Sequence, residues 1–195
     1  MKRPDTCNVP LIMAWCGRIK IYSGADVIGQ KLLKEALQRD PDCTDAMRAI
    51  KAGRNAAQSK EEAGALFKAA KYDEAIQKFD ECLQLDPLNL GFNATIQLNK
   101  SIALTKKGKH DEAMSALNKS LKMNPAYAKA LVKRGEVHQQ LGDWEEAVSD
   151  FGAAQQIDPT SHGVQQKLKI AQQNAKKNKR KDYYEILGVS KDASE

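Results

Sequence analysis

Cysteine is scarce in this sequence, and no two cysteines form a Cys-x-x-Cys pair. The four residues are spread over the first half of the chain: Cys7, Cys16, Cys43 and Cys82. Zinc sites and thiol redox motifs need closely spaced cysteines, and four in 195 residues are too few for a disulfide scaffold. We therefore expect no metal site, and the cysteine usage favours a reduced, intracellular compartment.

Long apolar runs are also missing. The apolar stretch near the amino terminus is interrupted by Pro10, Gly17 and Arg18, and no clear small-residue cleavage site follows it. A membrane-spanning helix needs about 20 apolar residues. We therefore expect neither a signal peptide nor a membrane span, and we interpret residues 1–27 as a divergent amino-terminal segment.

Aromatic residues make up 6% of the chain, whereas Ala, Lys, Leu and Gln dominate its middle. The dominant residues lose little side-chain entropy in a helix. The proportions of 42% hydrophobic and 29% charged residues are those of an ordinary soluble protein with a core. The composition therefore predicts an all-α fold.

No grouping of side chains predicts catalysis. His110 and His138 fall at packing positions of the pattern described below, and His162 falls in a loop. The stretch "GADVIGQKL" has two glycines five residues apart, but Leu32 stands where a phosphate-binding loop needs Ser or Thr, and no buried strand precedes it. We expect neither an enzyme nor a bound cofactor.

The net charge of +6 is concentrated in one segment. Residues 160–181 contain seven basic and no acidic side chains, and taking these seven from +6 leaves −1 for the rest. We interpret this segment as a solvated helix end with cations near its carboxyl terminus. The alternative is a nuclear-localisation or nucleic-acid patch, which the body of the chain does not favour because it has no basic stripe with interleaved aromatic residues.

Three segments align without a gap: "KYDEAIQKFDECLQLDP", "KHDEAMSALNKSLKMNP" and "DWEEAVSDFGAAQQIDP". Pro125 and Pro159, the last two of their prolines, lie 34 residues apart. Gly108 and Gly142 directly precede two of the segments, and glycine is the residue that most readily adopts the left-handed conformation in which helices often end. Within each segment a ring is followed by alanine, a bulky apolar residue and a small residue: Tyr72, Ala75, Phe79 and Cys82; His110, Ala113, Leu117 and Ser120; Trp144, Ala147, Phe151 and Ala154.

This pattern resembles the tetratricopeptide repeat, a helix–turn–helix unit of roughly 34 residues. The resemblance implies an α-solenoid, a right-handed superhelix of helical hairpins with a carboxyl-terminal capping helix. Val164, Leu168 and Ile170 are expected to face the last repeat from that cap. The expected segments are a partial repeat at 28–41, a connecting helix at 44–58, full repeats at 59–87, 94–125 and 128–159, and the capping helix at 160–181. No first helix of the partial repeat is recognisable in residues 1–27, so these residues are either a divergent cap or the chain begins inside a longer array.

The first helices of stacked repeats line a groove that suits an extended peptide. Co-chaperone repeat domains hold the Glu-Glu-Val-Asp tail of cytosolic heat-shock chaperones there with Lys, Asn, Asn, Lys and Arg. Lys60, Asn99 and Lys129 match that pattern, whereas Lys133 replaces the arginine and Gly64 replaces an asparagine. The resemblance implies a partial carboxylate clamp for heat-shock chaperones of the seventy- and ninety-kilodalton classes. The alternatives are lysines that are merely solvated, or an adaptor for another protein partner.

The last stretch, "DYYEILGVSKDAS", resembles the opening of a J domain. Asp182 is placed to cap a short helix that bears Tyr183, Tyr184 and Leu187, and Gly188 can end it. The His-Pro-Asp triplet of that family occurs nowhere in the sequence. Residues 182–195 are therefore interpreted as a truncated J-domain start. The resemblance implies a cytoplasmic, non-catalytic co-chaperone without J-domain activity, with the nucleus as a second location; a luminal J-domain relative is the alternative.

Overall fold

The computed structural model describes the backbone of residues 8–186 and the side chains of residues 8–179. This part of the chain is all-α, as predicted, and it belongs to two compact units, Met1–Lys107 and Gly108–Glu195. The predicted J-domain opening lies outside the described side chains, and residues 187–195 lie outside the described backbone. The helices of the described part are α1 Val9–Tyr22, α2 Asp26–Arg39, α3 Thr44–Lys68, α4 Tyr72–Leu85, α5 Leu90–Lys106, α6 His110–Met123, α7 Ala128–Leu141, α8 Trp144–Ile157 and α9 His162–Ile186.

The first two helices approach each other closely. Gly17 of α1 faces Gly29 of α2, and a Cβ atom on Gly17 would lie 2.9 Å from the Gly29 carbonyl oxygen. Around this contact Ala14, Leu33 and Ala36 are almost fully buried. No repeat signature marks the segment before α2, and yet it supplies a helix that packs against α2.

A second core in the first unit joins α3, α4 and α5. Phe79 and Cys82 of α4 pack with Ala63 of α3 and Ile96 of α5. Helix α3 runs without a break through residues 58–59, where the sequence suggested that a connecting helix gives way to the next repeat. The side chains that enter this core therefore stand on a helix that also extends back towards α2.

The alanine, bulky and small positions of the three aligned segments are all packing positions. Their nine side chains are at most 2% exposed: Ala75, Phe79, Cys82, Ala113, Leu117, Ser120, Ala147, Phe151 and Ala154. In the second unit Phe151 packs against Gly135, where a Cβ atom would lie 2.8 Å from the ring. The packing predicted from the alignment is confirmed.

Glycine occupies the turn between the two helices in two of the aligned repeats. Gly108 and Gly142 have φ angles of 74° and 88°, in the left-handed region predicted for them. Ala70 holds the equivalent position in the first unit and has a φ of 59°. That conformation costs a residue with a Cβ atom roughly 1–2 kcal/mol. The turn in the first unit therefore carries backbone strain that glycine relieves at the other two.

Helix α9 packs on α8 through one face. Val164 is buried, Leu168 is half-buried and Ala171 is fully buried. Ile170, which we expected to face the last repeat, is 51% exposed. That expectation was wrong because positions 164, 168 and 171 follow helical spacing, whereas position 170 is turned about 100° away from 171.

Candidate functional site

The first two predicted clamp residues lie in the first unit, Lys60 on α3 and Asn99 on α5. Lys60 stands one turn before Ala63 and Asn99 one turn after Ile96, and these two apolar residues share one core cluster. The Lys60 side chain is exposed and forms no ion pair with any residue that the structure describes, and Asn99 is half-buried. Packing in the core thus fixes the backbone that carries both side chains.

Gly64 follows Lys60 by one helical turn and leaves an open position on α3. A Cβ atom built there meets no other atom within 4 Å. The Cβ atom of an asparagine, which the family pattern has at this place, would therefore fit without moving a neighbour. The missing donor is therefore a matter of residue type and not of space.

The second two predicted residues, Lys129 and Lys133, stand one turn apart on α7. Lys129 is exposed, with no ion pair to the described residues. Lys133 is half-buried, and its Nζ donates to Oε2 of Glu136 at 2.6 Å. Oε1 of the same carboxylate accepts a hydrogen bond from Lys167 of α9. The charge of Lys133 is therefore already compensated within the chain.

Opposing effects act on the pKa of Glu136. Burial of this carboxyl group acts to raise its pKa, but the hydrogen bonds and charges of Lys133 and Lys167 outweigh burial, and the pKa lies below its ordinary value. Glu136 is thus ionised at neutral pH. A peptide carboxylate that approaches Lys133 must compete with a carboxylate that is already bound.

An arginine directly follows Lys133, but it is held elsewhere. Nε and Nη2 of Arg134 donate to the two carboxylate oxygens of Asp150 at 2.9 and 2.6 Å, and Nη1 donates to Oδ1 of Asn118 at 2.8 Å. The hydrogen bonds to Asp150 raise the pKa of the guanidinium. Because the Asp150 side chain is 5% exposed, this pair joins α7 to α8 and does not face solvent as a peptide site would.

Sequence reasoning missed this pair, although a signal for it existed. Asp150 lies three residues after Ala147 and directly before Phe151, on the face of α8 that is otherwise apolar. A carboxylate at such a position needs a cationic partner, since an unpaired buried charge is costly. The pattern therefore predicts a partner, but it does not say which cation supplies it.

The four predicted residues fall into two pairs that belong to different units. Lys60 and Asn99 stand on helices of one core, and Lys129 and Lys133 stand on one helix. Convergence of the two pairs on a single peptide stays a prediction.

Two lysines of the basic segment contact acidic residues of the second unit. Lys167 bonds Glu136, and Nζ of Lys179 on α9 lies 2.9 Å from Oε1 of Glu145 on α8. These two lysines of the basic segment thus form ion pairs with the helices of the second unit.

Among the described side chains no group of His, Cys, Asp and Glu could hold a metal ion, and no helix within residues 8–186 is long and apolar enough to cross a membrane.

Family models match a continuous stretch that includes α4 to α8. Two models described as tetratricopeptide repeat match residues 60–122 and 128–161, and one described as TPR repeat matches residues 103–142. Together they extend from Lys60 of α3 to the turn before α9.

A curated relative is similar over almost the whole chain. The DnaJ homolog subfamily C member 7 homolog of Schizosaccharomyces pombe is 36% identical over 179 residues, which is 92% of this chain and 38% of that protein. The chain thus spans about two fifths of the length of this relative.

Two solved structures resemble the chain. The first TPR of Spaghetti (RPAP3), bound to the HSP90 peptide SRMEEVD, is 28% identical with a TM-score of 0.56, over 62% of this chain and 92% of that one. The second TPR domain of human RPAP3, in complex with the HSP70 peptide SGPTIEEVD, is 26% identical with a TM-score of 0.55, over 62% of this chain and 98% of that one. The chain therefore belongs to the tetratricopeptide-repeat proteins, with their all-α solenoid fold, and it is related to DnaJ homolog subfamily C member 7.

Proposed function

We propose that this chain is a non-catalytic co-chaperone scaffold that binds the acidic carboxyl-terminal tails of heat-shock chaperones and so supports protein folding. The observation that carries the proposal is the state of Lys60 and Lys129. Both ammonium groups are exposed at clamp positions, and neither forms an ion pair with a described residue. Ammonium groups in that state are available to a peptide carboxylate.

The similar solved structures support the chemistry of the ligand. Both hold peptides that end in Glu-Glu-Val-Asp, one named for HSP90 and one for HSP70. A chain terminus presents two carboxylates close together when its last residue is aspartate. Cations on different helices can bind such a terminus better than an internal segment with one carboxylate.

Two features make the proposed clamp weaker than the family pattern. Gly64 contributes no side-chain donor, and Lys133 is bound to Glu136 and lacks the planar fork of an arginine. We expect binding that depends chiefly on Lys60 and Lys129. We place this activity in the cytoplasm, where chaperones with such tails are found.

The test is a titration of the chain with a peptide that ends in Glu-Glu-Val-Asp and with an amidated copy. We expect the free-acid peptide to bind, and amidation or Lys129→Ala to weaken binding by about tenfold, since a hydrogen bond to a charged group contributes about 1.5–3 kcal/mol. Lys119→Ala, an exposed lysine on α6, is the matched control and should leave binding unchanged. Equal affinity for the two peptides, or none for either, would refute the clamp.

A further inference from the structure

A groove of about 810 Å³ runs between α2 and α3, within the first unit. Its apolar lining consists of Leu37, Met47 and Ile50. Leu37 and Ile50 also pack against the core below, whereas Met47 is 43% exposed. An exposed methionine beside two aliphatic side chains forms an adaptable apolar surface.

Three cations line the same groove: Lys34 of α2 and Lys51 and Arg54 of α3. All three are exposed, none forms an ion pair with a residue that the structure describes, and no acidic residue is among the described residues that line the groove. Elsewhere in this unit an exposed lysine does pair with a carboxylate, as Lys71 does with Glu74 at 3.3 Å. The groove therefore combines an apolar floor with positive charge that the chain itself does not neutralise.

In the second unit α8 and α9 correspond to α2 and α3, and the place where they meet, which we call the equivalent corner, serves as an internal control. Helices α3 and α9 are both 25 residues long and both follow an Asp-Pro turn, so Pro41 aligns with Pro159. In this alignment Met47 corresponds to Gln165 and Arg54 to Gln172. Gln165 donates to the carbonyl oxygen of Pro159 at 3.3 Å.

The equivalent corner shows which features the architecture demands. A 25-residue helix can pack after an Asp-Pro turn with glutamine at both of these positions. Neither the exposed methionine nor the arginine at the α2–α3 groove is therefore needed for packing. Their presence together requires another explanation.

We propose that the α2–α3 groove is a docking surface for an acidic amphipathic helix of a protein partner. Side chains of α2 and α3 form the two sides of the groove, and a third helix can pack between them. The partner helix would place its aliphatic residues on the apolar floor and its carboxylates against the cations at the rim. No aromatic side chain lines the groove in the described structure, which disfavours single-stranded nucleic acid because bases bind by stacking.

The groove is independent of the proposed carboxylate clamp. Lys60 lies six residues after Arg54 on α3, about 240° further around the helix, so the two side chains leave on different faces. The groove also needs no free chain terminus in its ligand. An amidated peptide therefore favours the groove over the clamp, where we expect amidation to weaken binding by about tenfold.

The probe is a fluorescent, amidated peptide of about four helical turns, with leucine along one face and glutamate on the others. We expect it to bind the whole chain, and Met47→Gln or Arg54→Gln to weaken binding at least about fivefold. Both substitutions introduce the residue that the equivalent corner carries, so the fold is retained, and unchanged helical circular dichroism and melting temperature verify this. Lys31→Gln, on α2 outside the groove lining, is the matched control and should bind as the unaltered chain does.

A copy of the peptide with lysine in place of glutamate should not bind, and Lys129→Ala should leave binding of the acidic peptide unchanged. The proposal is overturned if the acidic peptide does not bind, or if the two groove variants bind it as well as the Lys31 control does. It is also overturned if a single-stranded RNA binds the chain more tightly than the peptide and loses its affinity in the same two variants.

Discussion

Lys60 in the first unit and Lys133 in the second are both predicted to bind a peptide carboxylate, and their surroundings differ. Beside Lys60 the chain has an empty position at Gly64, where a side chain would meet nothing within 4 Å. Beside Lys133 it has Glu136, which already accepts hydrogen bonds from two lysines. The first half of the candidate clamp thus lacks a donor, and the second half has a donor that is occupied.

The difference extends to how the two helices are held. An ion pair joins each helix to the one that follows it, but the two pairs differ in burial. Glu62 of α3 pairs with Lys78 of α4 on the surface, whereas Arg134 of α7 pairs with Asp150 of α8, whose side chain is 5% exposed. Breaking a buried ion pair costs about 3–5 kcal/mol, whereas an exposed pair contributes about 1 kcal/mol or less. Four substitutions test whether these differences have the consequences that we assign to them.

Arg134→Ala should have the largest effect, on stability. It removes both hydrogen bonds of the guanidinium to the buried carboxylate of Asp150 and leaves the ring of His138, whose Nε2 lies 3.9 Å from Oδ2, as a more distant partner. We therefore expect the free energy of unfolding of the second unit to fall by about 3 kcal/mol. In a Trp15→Phe background Trp144 is the remaining tryptophan, and its fluorescence during chemical denaturation reports on this unit. Lys119→Ala, on exposed surface, should change this value by less than about 0.5 kcal/mol. A loss no larger than that of the control would show that the pair does not hold α7.

Glu136→Gln should strengthen peptide binding by releasing Lys133. Glutamine keeps the size of the side chain but removes its charge, so a peptide carboxylate no longer competes with an internal one. We expect about fivefold tighter binding of a peptide that ends in Glu-Glu-Val-Asp, which corresponds to about 1 kcal/mol. Calorimetric titration measures it. Glu145→Gln, whose lysine partner is outside the predicted clamp, is the control, and an unchanged or weaker affinity for Glu136→Gln would mean that Lys133 takes no part in binding.

Gly64→Asn should supply the missing donor of the first unit. One added hydrogen bond contributes about 0.5–1.5 kcal/mol, so we expect the same peptide to bind roughly threefold to tenfold more tightly. Gly53→Asn on the same helix is the matched control, since a Cβ atom there also meets nothing within 4 Å and the gain in helix propensity is equal. If both variants improve binding equally, the gain comes from a stiffer α3 and not from the clamp.

The sequence is sufficient to predict those parts of this molecule that depend on local spacing. The nine packing positions and the left-handed glycines repeat at fixed intervals, so an alignment of three segments finds them. The contact of Gly17 with Gly29 and the bond of Lys167 to Glu136 join residues whose spacing carries no such regularity. Those contacts depend on how helices pack, and no pattern within one helix predicts them. The same holds for the candidate site. The spacing of Lys133 and Glu136 predicts a pair on one helix, but nothing in the spacing predicts Lys167, which reaches Glu136 from another helix.

Ala70→Gly should have the smallest effect, and it tests the difference between the turns. Ala70 holds a left-handed backbone conformation at φ 59°, and glycine adopts this region without a Cβ clash. Glycine also gains entropy in the unfolded chain, which offsets part of the benefit, so we expect the free energy of unfolding to rise by about 0.5–1 kcal/mol. Gly142→Ala, the reverse change at the equivalent turn of the second unit, should lower it by about 1 kcal/mol. Thermal denaturation followed by circular dichroism measures both, and a loss of stability in Ala70→Gly would show that the strain inferred at this turn is absent.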